Sequence, residues 1–232
     1  MPRPHVSVIV TVYNQKRYLA EAIRSVLDQD YHDVEIIVVD DGSTDHSAQA
    51  ARAFEGVRVI RQNNRGYGAA VNTGVSAARG ELIAFLDADD FWEPETLARR
   101  VDWFSDDQEF SITHGMLVEF VSPELEAPGV SRGRAVGEPV PGPVGGTMMI
   151  RLADMKRVGP LDTTVRLGSM MDWLMRASKF GLQTRFHEEV LLHRRIHNDN
   201  LGMRERTARG DYVKVLKLAL DRRRKARSHA EL

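Results

Sequence analysis

Residues 82–90, with the sequence LIAFLDADD, are the part of this chain that decides the fold. The first five positions form a short apolar run that ends in acids, which is typical of a buried strand. Asp87, Asp89 and Asp90 follow at its carboxyl end, where open α/β sheets bind ligands. Asp87 and Asp89 would repel each other unless a cation lay between them, and carboxylate oxygens suit Mg²⁺ or Mn²⁺. The segment therefore predicts either a metal site on Asp87 and Asp89 or a solvated turn before a helix.

The composition is that of an ordinary globular protein of 232 residues, with 42% hydrophobic and 28% charged residues. A net charge of −1 gives no electrostatic reason to expect a nucleic-acid partner. The absence of cysteine excludes disulfides, thiolate zinc sites and a cysteine nucleophile. The first residues do not predict a signal peptide, and the sequence has no apolar run of about 20 residues, so we expect a cytoplasmic protein.

Strand and helix patterns alternate through the first half of the chain. A parallel sheet with right-handed crossovers is the expected result. The second half is less regular, and its Pro- and Gly-rich stretch predicts a long loop that covers a substrate. The predicted strands are 6–10, 35–39, 57–60, 81–86, 147–150, 183–186 and 190–196, the predicted helices 18–27, 43–54, 67–78 and 169–180, and the predicted loop 122–146.

Polar clusters follow three of the early strands, at residues 11–14, 40–43 and 87–90. In a parallel sheet those exits share one edge, so the clusters can converge on one ligand. Tyr13 offers a face on which a base could stack, and a strand-end Asp can accept hydrogen bonds from a base or ribose. A metal on the third cluster would hold a diphosphate, whereas each cluster taken alone would be ordinary turn chemistry.

Five segments together resemble the family 2 glycosyltransferases: SVIVTVYN (7–14), IVVDDGSTD (37–45), NRG (64–66), NTG (72–74) and FLDADD (85–90). The resemblance implies an α/β, GT-A-like, three-layer α/β/α domain with a mostly parallel central sheet. It also implies a nucleotide-sugar donor, a divalent metal (Mn²⁺ or Mg²⁺) on the DxD acids, and inversion at the anomeric carbon. By position, the nucleotide-sugar site would comprise Thr11, Tyr13, Asp41, Gly66, Asn72, Asp87 and Ala88, with Asp89 as the main metal ligand and Asp87 close to ribose and metal.

Two further roles follow from the same resemblance. The catalytic base of the family usually lies in a Glu-Asp pair that opens a helix, and Asp172 matches the Asp although Met171 replaces the Glu. Asp172 would then take the proton of the acceptor hydroxyl, the alternative being a first-turn Asp favoured by the helix dipole. His197, in the segment RIHNDNL (195–201), would be a third metal ligand or a hydrogen-bonding loop histidine.

The predicted organisation is a single domain over 1–232. It would comprise a nucleotide-sugar-binding half (1–107), an acceptor-binding half (108–200), and a C-terminal helix with a basic tail (201–232). The basic run at 222–227 predicts a solvated tail or, alternatively, a peripheral membrane contact.

The predicted function is metal-dependent, inverting transfer of a sugar from a nucleoside diphosphate to an acceptor nucleophile. Asp41 favours UDP, and the acceptor (glycan, lipid-linked, peptide or small molecule) is open. One alternative, a sugar-phosphate nucleotidylyltransferase, would need a Gly-rich basic loop after the first strand. The other, a non-catalytic, receiver-like nucleotide-binding module, would leave Asp87, Asp89 and Asp172 without a role.

Overall fold

The structure is a computed structural model that describes residues 5–106, 110–125 and 136–230. Its strands are β1 (Val6–Val12), β2 (Val34–Asp40), β3 (Val57–Arg61), β4 (Leu82–Asp87), β5 (Phe91–Trp92), β6 (Ile112–Val121), β7 (Pro139–Pro141), β8 (Met149–Arg151) and β9 (Thr184–Ile196). Its helices are α1 (Lys16–Leu27), α2 (Ser47–Arg52), α3 (Tyr67–Ala77), α4 (Leu97–Asp106), α5 (Leu152–Val158), α6 (Ser169–Lys179), α7 (Leu201–Arg204) and α8 (Gly210–Ala230). In the described ranges, no helix is both long enough and apolar enough to cross a membrane.

All nine described strands belong to one sheet, in the order β3-β2-β1-β4-β8-β6-β9-β5, with β7 paired to β6. The first four strands are parallel to one another, because each crossover between them contains a helix. Antiparallel pairing begins at β8, which lies between β4 and β6, and β6 then pairs with β9 in parallel. The carboxyl ends of β1, β2 and β4 consequently share one edge.

Two hydrophobic clusters cover the two faces of this sheet. One contains residues of α1, α2 and α4 packed on Val8, Val10 and other alternate positions of the strands. The second contains residues of α3, α5 and α6 packed on Ile9, Ile37 and their neighbours. The arrangement confirms the predicted three-layer α/β/α architecture.

Several elements differ from the sequence-based expectation. The strand β6 was not predicted, and the two short strands predicted at 183–186 and 190–196 are the single strand β9, which carries an irregularity in its pairing with β6. The helix predicted from residue 43 begins at Ser47, because Ser43 and Thr44 instead bond to Asn14. The predicted loop 122–146 contains β7, and its residues 126–135 lie outside the described ones.

Candidate active site

The carboxylate of Asp41, just after β2, organises the loop that leads into α3. Its Oδ1 accepts hydrogen bonds from Nε2 of Gln62 (2.7 Å) and from the backbone N–H of Arg65 (2.9 Å). Its Oδ2 accepts the backbone N–H of Gly66 (2.8 Å), which adopts φ +88° at the start of α3. A carboxylate has about four acceptor positions, so Asp41 has one left for a ligand.

A cavity of about 550 Å³ opens beside this loop, lined by Gly42, Arg61, Gln62, Asn63 and Asn64. Gly42 has φ +83°, and a Cβ atom there would lie 2.8 Å from the backbone nitrogen of Asn64. Any side chain at this position would therefore push the wall of the cavity apart. Its volume is within the usual range of small-molecule sites, and its lining is polar rather than apolar.

Tyr13 lies on the neighbouring loop, after β1. The guanidinium carbon of Arg204, at the end of α7, is 5.1 Å from the centre of the Tyr13 ring. Nη1 of Arg204 also donates a hydrogen bond to the carbonyl oxygen of Tyr13 (3.4 Å). A base that stacked on this face of Tyr13 would displace the guanidinium or be covered by it.

Asp87 ends β4 and is tied to β1. Its Oδ1 accepts a hydrogen bond from Oγ1 of Thr11 (3.2 Å), and the backbone N–H of Ala88 donates to the carbonyl oxygen of Thr11 (3.1 Å). Burial and the neighbouring carboxylate of Asp89 raise the pKa of Asp87. Ala88 is buried among apolar residues, so its predicted contact with the nucleotide sugar stays a prediction.

Asp89 is held from the far end of β9. Its Oδ2 lies 2.9 Å from Nε2 of His197 and 3.1 Å from Nδ2 of Asn200. The backbone N–H of Asp199 donates to Nδ1 of His197 (3.2 Å), so the ring proton is on Nε2 and donates to Asp89. The structure thus brings His197 to the predicted metal site, but as a donor to the carboxylate.

Arg195 fixes the backbone around these acids. Its Nε donates to the carbonyl oxygen of Asp89 (3.0 Å), and its backbone N–H donates to Oδ1 of Asp90 (2.9 Å). Its guanidinium stacks between the rings of Tyr18 and Phe120, 4.6 Å from each. Because these contacts occupy the guanidinium, Arg195 orients the acidic turn and does not bind a ligand directly.

The carboxylates of Asp87 and Asp89 have the chemistry to bind a divalent cation. Among the described residues, no three His, Cys, Asp or Glu side chains form a preformed metal cluster. Asp87 and Asp89 nevertheless lie close enough to raise the pKa of one of them, and Oδ1 of Asp89 has no hydrogen-bond partner in the described ranges. Mg²⁺ and Mn²⁺ sites commonly use one or two carboxylates together with substrate phosphates, which this pair would provide.

Asp172, in the first turn of α6, is enclosed in an ion-pair network. Only 1% of the residue is exposed. Oδ2 accepts a hydrogen bond from Nε of Arg176 (3.0 Å), and Oδ1 accepts one from Nη2 of Arg222 in α8 (2.6 Å). Both oxygens are thus bonded to guanidinium groups. Neither bond connects Asp172 to the acidic turn that follows β4.

The side chain of Asn72 is bonded to the backbone of Leu161. Its Nδ2 donates to the carbonyl oxygen of Leu161 (3.0 Å), and its Oδ1 accepts the backbone N–H of the same residue (2.8 Å). The side chain therefore connects α3 to the segment between α5 and α6. Its predicted contact with the nucleotide sugar stays a prediction.

Sequence reasoning missed several residues around the site. Tyr67 is one of them. Burial and the charge of Asp87 raise the pKa of its hydroxyl. The hydroxyl also lies close to Gly145, where an added Cβ atom would be 2.9 Å from its oxygen. No local pattern distinguished it, because the contact joins distant segments. Gln62, Arg204 and Arg222 were missed for the same reason, although Arg222 lies within the basic run.

Known proteins share both the sequence pattern and the fold. The family model described as glycosyl transferase family 2 matches residues 7–157. An uncharacterised glycosyltransferase of Nostoc sp. is 46% identical over 114 residues, which cover 47% of this chain and 35% of that protein. The putative glycosyltransferase EpsH of Bacillus subtilis is 43% identical over 99 residues, which cover 41% of this chain and 29% of that protein. The chain thus spans about a third of the length of these relatives.

Solved structures extend the match to the second half of the chain. TarS of Staphylococcus aureus (residues 1–349, with UDP) has a TM-score of 0.71 at 20% identity, covering 93% of this chain and 64% of that one. The mannosyltransferase PcManGT of Pyrobaculum calidifontis, with GDP-Man and Mn²⁺, has a TM-score of 0.66 at 20% identity, covering 86% and 59%. The fold is GT-A-like, as predicted. The chain belongs to glycosyltransferase family 2.

Proposed function

We propose that this chain transfers a sugar from a nucleoside diphosphate sugar to an acceptor nucleophile, with inversion at the anomeric carbon. The observation that carries the proposal is the meeting of Thr11, Asp41, Asp87 and Asp89 at the carboxyl ends of three adjacent parallel strands. The base would lie near the remaining acceptor position of Asp41, against Tyr13. The diphosphate would then reach the acids that follow β4.

Asp87 and Asp89 would hold the divalent cation, Mn²⁺ or Mg²⁺. When bound, the cation would offset the negative charge that develops on the leaving diphosphate. His197 and Asn200 hold Oδ2 of Asp89 in place, so Oδ1 would be the oxygen that binds the cation. His197 could itself become a ligand through Nε2 only as the other neutral tautomer, with the proton moved to Nδ1, and that would break the hydrogen bond that Nδ1 accepts from Asp199.

The donor is proposed as a nucleotide sugar, with UDP favoured over GDP. TarS was solved with UDP and with UDP-GlcNAc, whereas PcManGT was solved with GDP-Man. Asp41 supports the choice of UDP, because its free acceptor position suits the single ring N–H of uracil. A cytoplasmic location is part of the same proposal.

Asp172 is proposed as the base that deprotonates the acceptor. Inverting transfer needs one carboxylate beside the attacking hydroxyl, and Asp172 is the acid that the family resemblance assigns. Since Arg176 and Arg222 occupy both of its oxygens, it could accept a proton only after one of these bonds opened. Arg222 is the partner that could leave, because it belongs to a separate helix.

The decisive experiment measures nucleotide binding and sugar transfer together. Calorimetry with UDP and GDP, each with Mn²⁺ and with EDTA, should show that Mn²⁺ tightens binding of one of them. Asp89→Ala should abolish that difference, whereas Glu55→Ala, which removes an exposed carboxylate after α2, should not. Release of the nucleoside diphosphate from a panel of nucleotide sugars then identifies the donor. Metal-independent binding, or equal effects of the two variants, would refute the proposal.

A further inference from the structure

The long helix α8 has one side fixed to the body of the protein. Oδ2 of Asp211 accepts the backbone N–H groups of Arg166 (2.6 Å) and Leu167 (3.2 Å). Val215 is completely buried, and Arg222 reaches Asp172. Positions 211, 215 and 222 lie within about 40° of one another around a helix with 3.6 residues per turn, so this is a single face.

On the opposite face, α8 exposes aliphatic side chains to solvent between residues 213 and 220. Val213 is 68% exposed, Leu216 48% and Leu220 55%, and with Tyr212 they make up four of the seven large exposed hydrophobic residues in the described part of the chain. Helical spacing sets these three aliphatic side chains about 100–200° away from the anchored face. Exposed apolar residues gathered on one helix face mark an interaction surface, whereas scattered ones do not.

The same helix concentrates positive charge. Residues 210–230 contain seven Lys and Arg and two Asp, in a chain whose net charge is −1. Lys217 is exposed and lies on the outward side of the helix, about 40° from Val213 and about 60° from Leu220 around its axis. The backbone continues as a helix through the run RRRKAR (222–227). Apolar side chains flanked by cationic ones are typical of helices that lie in the interface of an anionic membrane.

We infer that the outward face of α8, formed by Val213, Leu216, Lys217 and Leu220, binds the surface of a membrane that contains anionic lipids. Charge complementarity selects this occupant. A second copy of the chain would bring two strongly cationic helices together, which is unfavourable. A nucleic acid would satisfy the charges but would leave the aliphatic residues in water. The inference is independent of the transfer reaction, since none of the four residues is in the proposed active site.

Vesicle sedimentation tests the inference with the full chain. We expect it to sediment with vesicles of phosphatidylcholine and phosphatidylglycerol but not with phosphatidylcholine alone. Raised salt should weaken the binding, because anionic lipids are screened. The double variant Leu216→Gln, Leu220→Gln should bind at least about tenfold more weakly, since it loses two apolar side chains that the membrane would bury. Lys217→Glu should also weaken binding about tenfold or more, at roughly fivefold per charge.

Two matched variants control for general changes in charge and hydrophobicity. Leu27→Gln replaces an exposed leucine of α1, and Arg99→Glu reverses an exposed charge of α4. Both should bind anionic vesicles as the wild type does, with circular dichroism reporting that all variants are folded. The inference is overturned if the wild-type chain ignores anionic vesicles, or if Leu27→Gln weakens binding as much as the α8 double variant. It is also overturned if light scattering reports a dimer that the double variant dissociates, or if the chain binds an oligonucleotide but no vesicles.

Discussion

Nε2 of His197 donates a hydrogen bond to Oδ2 of Asp89 across 2.9 Å, which joins the end of β9 to the acidic turn after β4. The bond determines the role that we expect of the histidine. Because Nδ1 already accepts the backbone N–H of Asp199, Nε2 is the nitrogen that donates, and it orients the carboxylate. Groups that orient metal ligands typically contribute tenfold to hundredfold to metal affinity.

The first prediction separates a donor from a ligand at this position. His197→Ala should weaken Mn²⁺ binding in the presence of UDP by about tenfold to hundredfold. His197→Gln should restore most of that affinity, because its amide N–H can reach Asp89 as Nε2 does. Electron paramagnetic resonance of free Mn²⁺ measures both constants. If His197 is a metal ligand, the Gln variant should instead lose as much affinity as the Ala variant.

The second prediction concerns the aromatic face of Tyr13. Tyr13→Ala should weaken nucleotide binding by about 1–3 kcal/mol, the usual contribution of a base stacked on an aromatic ring. Tyr13→Phe keeps the ring and removes only the hydroxyl, so it should bind nearly as the wild type does. Calorimetry with UDP gives the dissociation constants. Equal affinity in the Ala variant would show that the ring serves the contact with Arg204 and does not stack on a base.

The third prediction concerns Asn72, whose side chain forms two hydrogen bonds with the backbone of Leu161. Asn72→Ala should lower the free energy of unfolding by about 1–3 kcal/mol, at roughly 0.5–1.5 kcal/mol per lost bond. Nucleotide affinity should change little, since both polar atoms of the Asn72 side chain are bonded to Leu161. Urea unfolding and calorimetry together check both quantities. A nucleotide-binding role would produce the reverse result: a loss of affinity with stability retained.

The first half of the fold could be predicted from the sequence because its signals are local. Buried parallel strands are continuous β-branched runs, as in β1 and β2, and the intervening helices have a different period. The strand β6 was not predicted, because Thr113, His114 and Gly115 interrupt its apolar pattern, although the strand is largely buried. Its position depends on pairing with β8 and β9, which are distant in the sequence.

The residues of the candidate site also differ in whether the sequence alone could predict them. Asp41, Asp87 and Asp89 could be predicted because each directly follows a strand. The hydrogen bonds from Gln62 and Arg195 could not, since these residues reach the acids only through the tertiary fold. His197 was assigned to the metal site by the family resemblance and not by a local pattern. Asn72 illustrates the opposite case, in which a residue within a family motif is directed toward the backbone of a distant segment.

The last prediction concerns Asp172, which is bonded to both Arg176 and Arg222. If it is the base, Asp172→Asn should leave donor affinity nearly unchanged and reduce turnover by about 10²–10⁴-fold. Arg222→Gln is the control, because it breaks one of the two ion pairs of Asp172 from the other side and leaves the carboxylate in place. Both variants should lower the free energy of unfolding by about 1–3 kcal/mol. This is below the 3–5 kcal/mol of a fully buried pair, because the side chain of Arg222 is 32% exposed.

Turnover then separates the two roles. A base freed from Arg222 should keep or raise its rate, so Arg222→Gln should be at least as active as the wild type while Asp172→Asn is nearly inactive. A purely structural ion pair should instead make the two variants alike, with near-normal turnover of the folded protein. Release of nucleoside diphosphate at saturating donor measures the rate, and urea unfolding gives the stability of each variant. Equal turnover in the two variants would therefore move the base to another carboxylate, with Glu188 and Glu189 of β9 the next to be replaced.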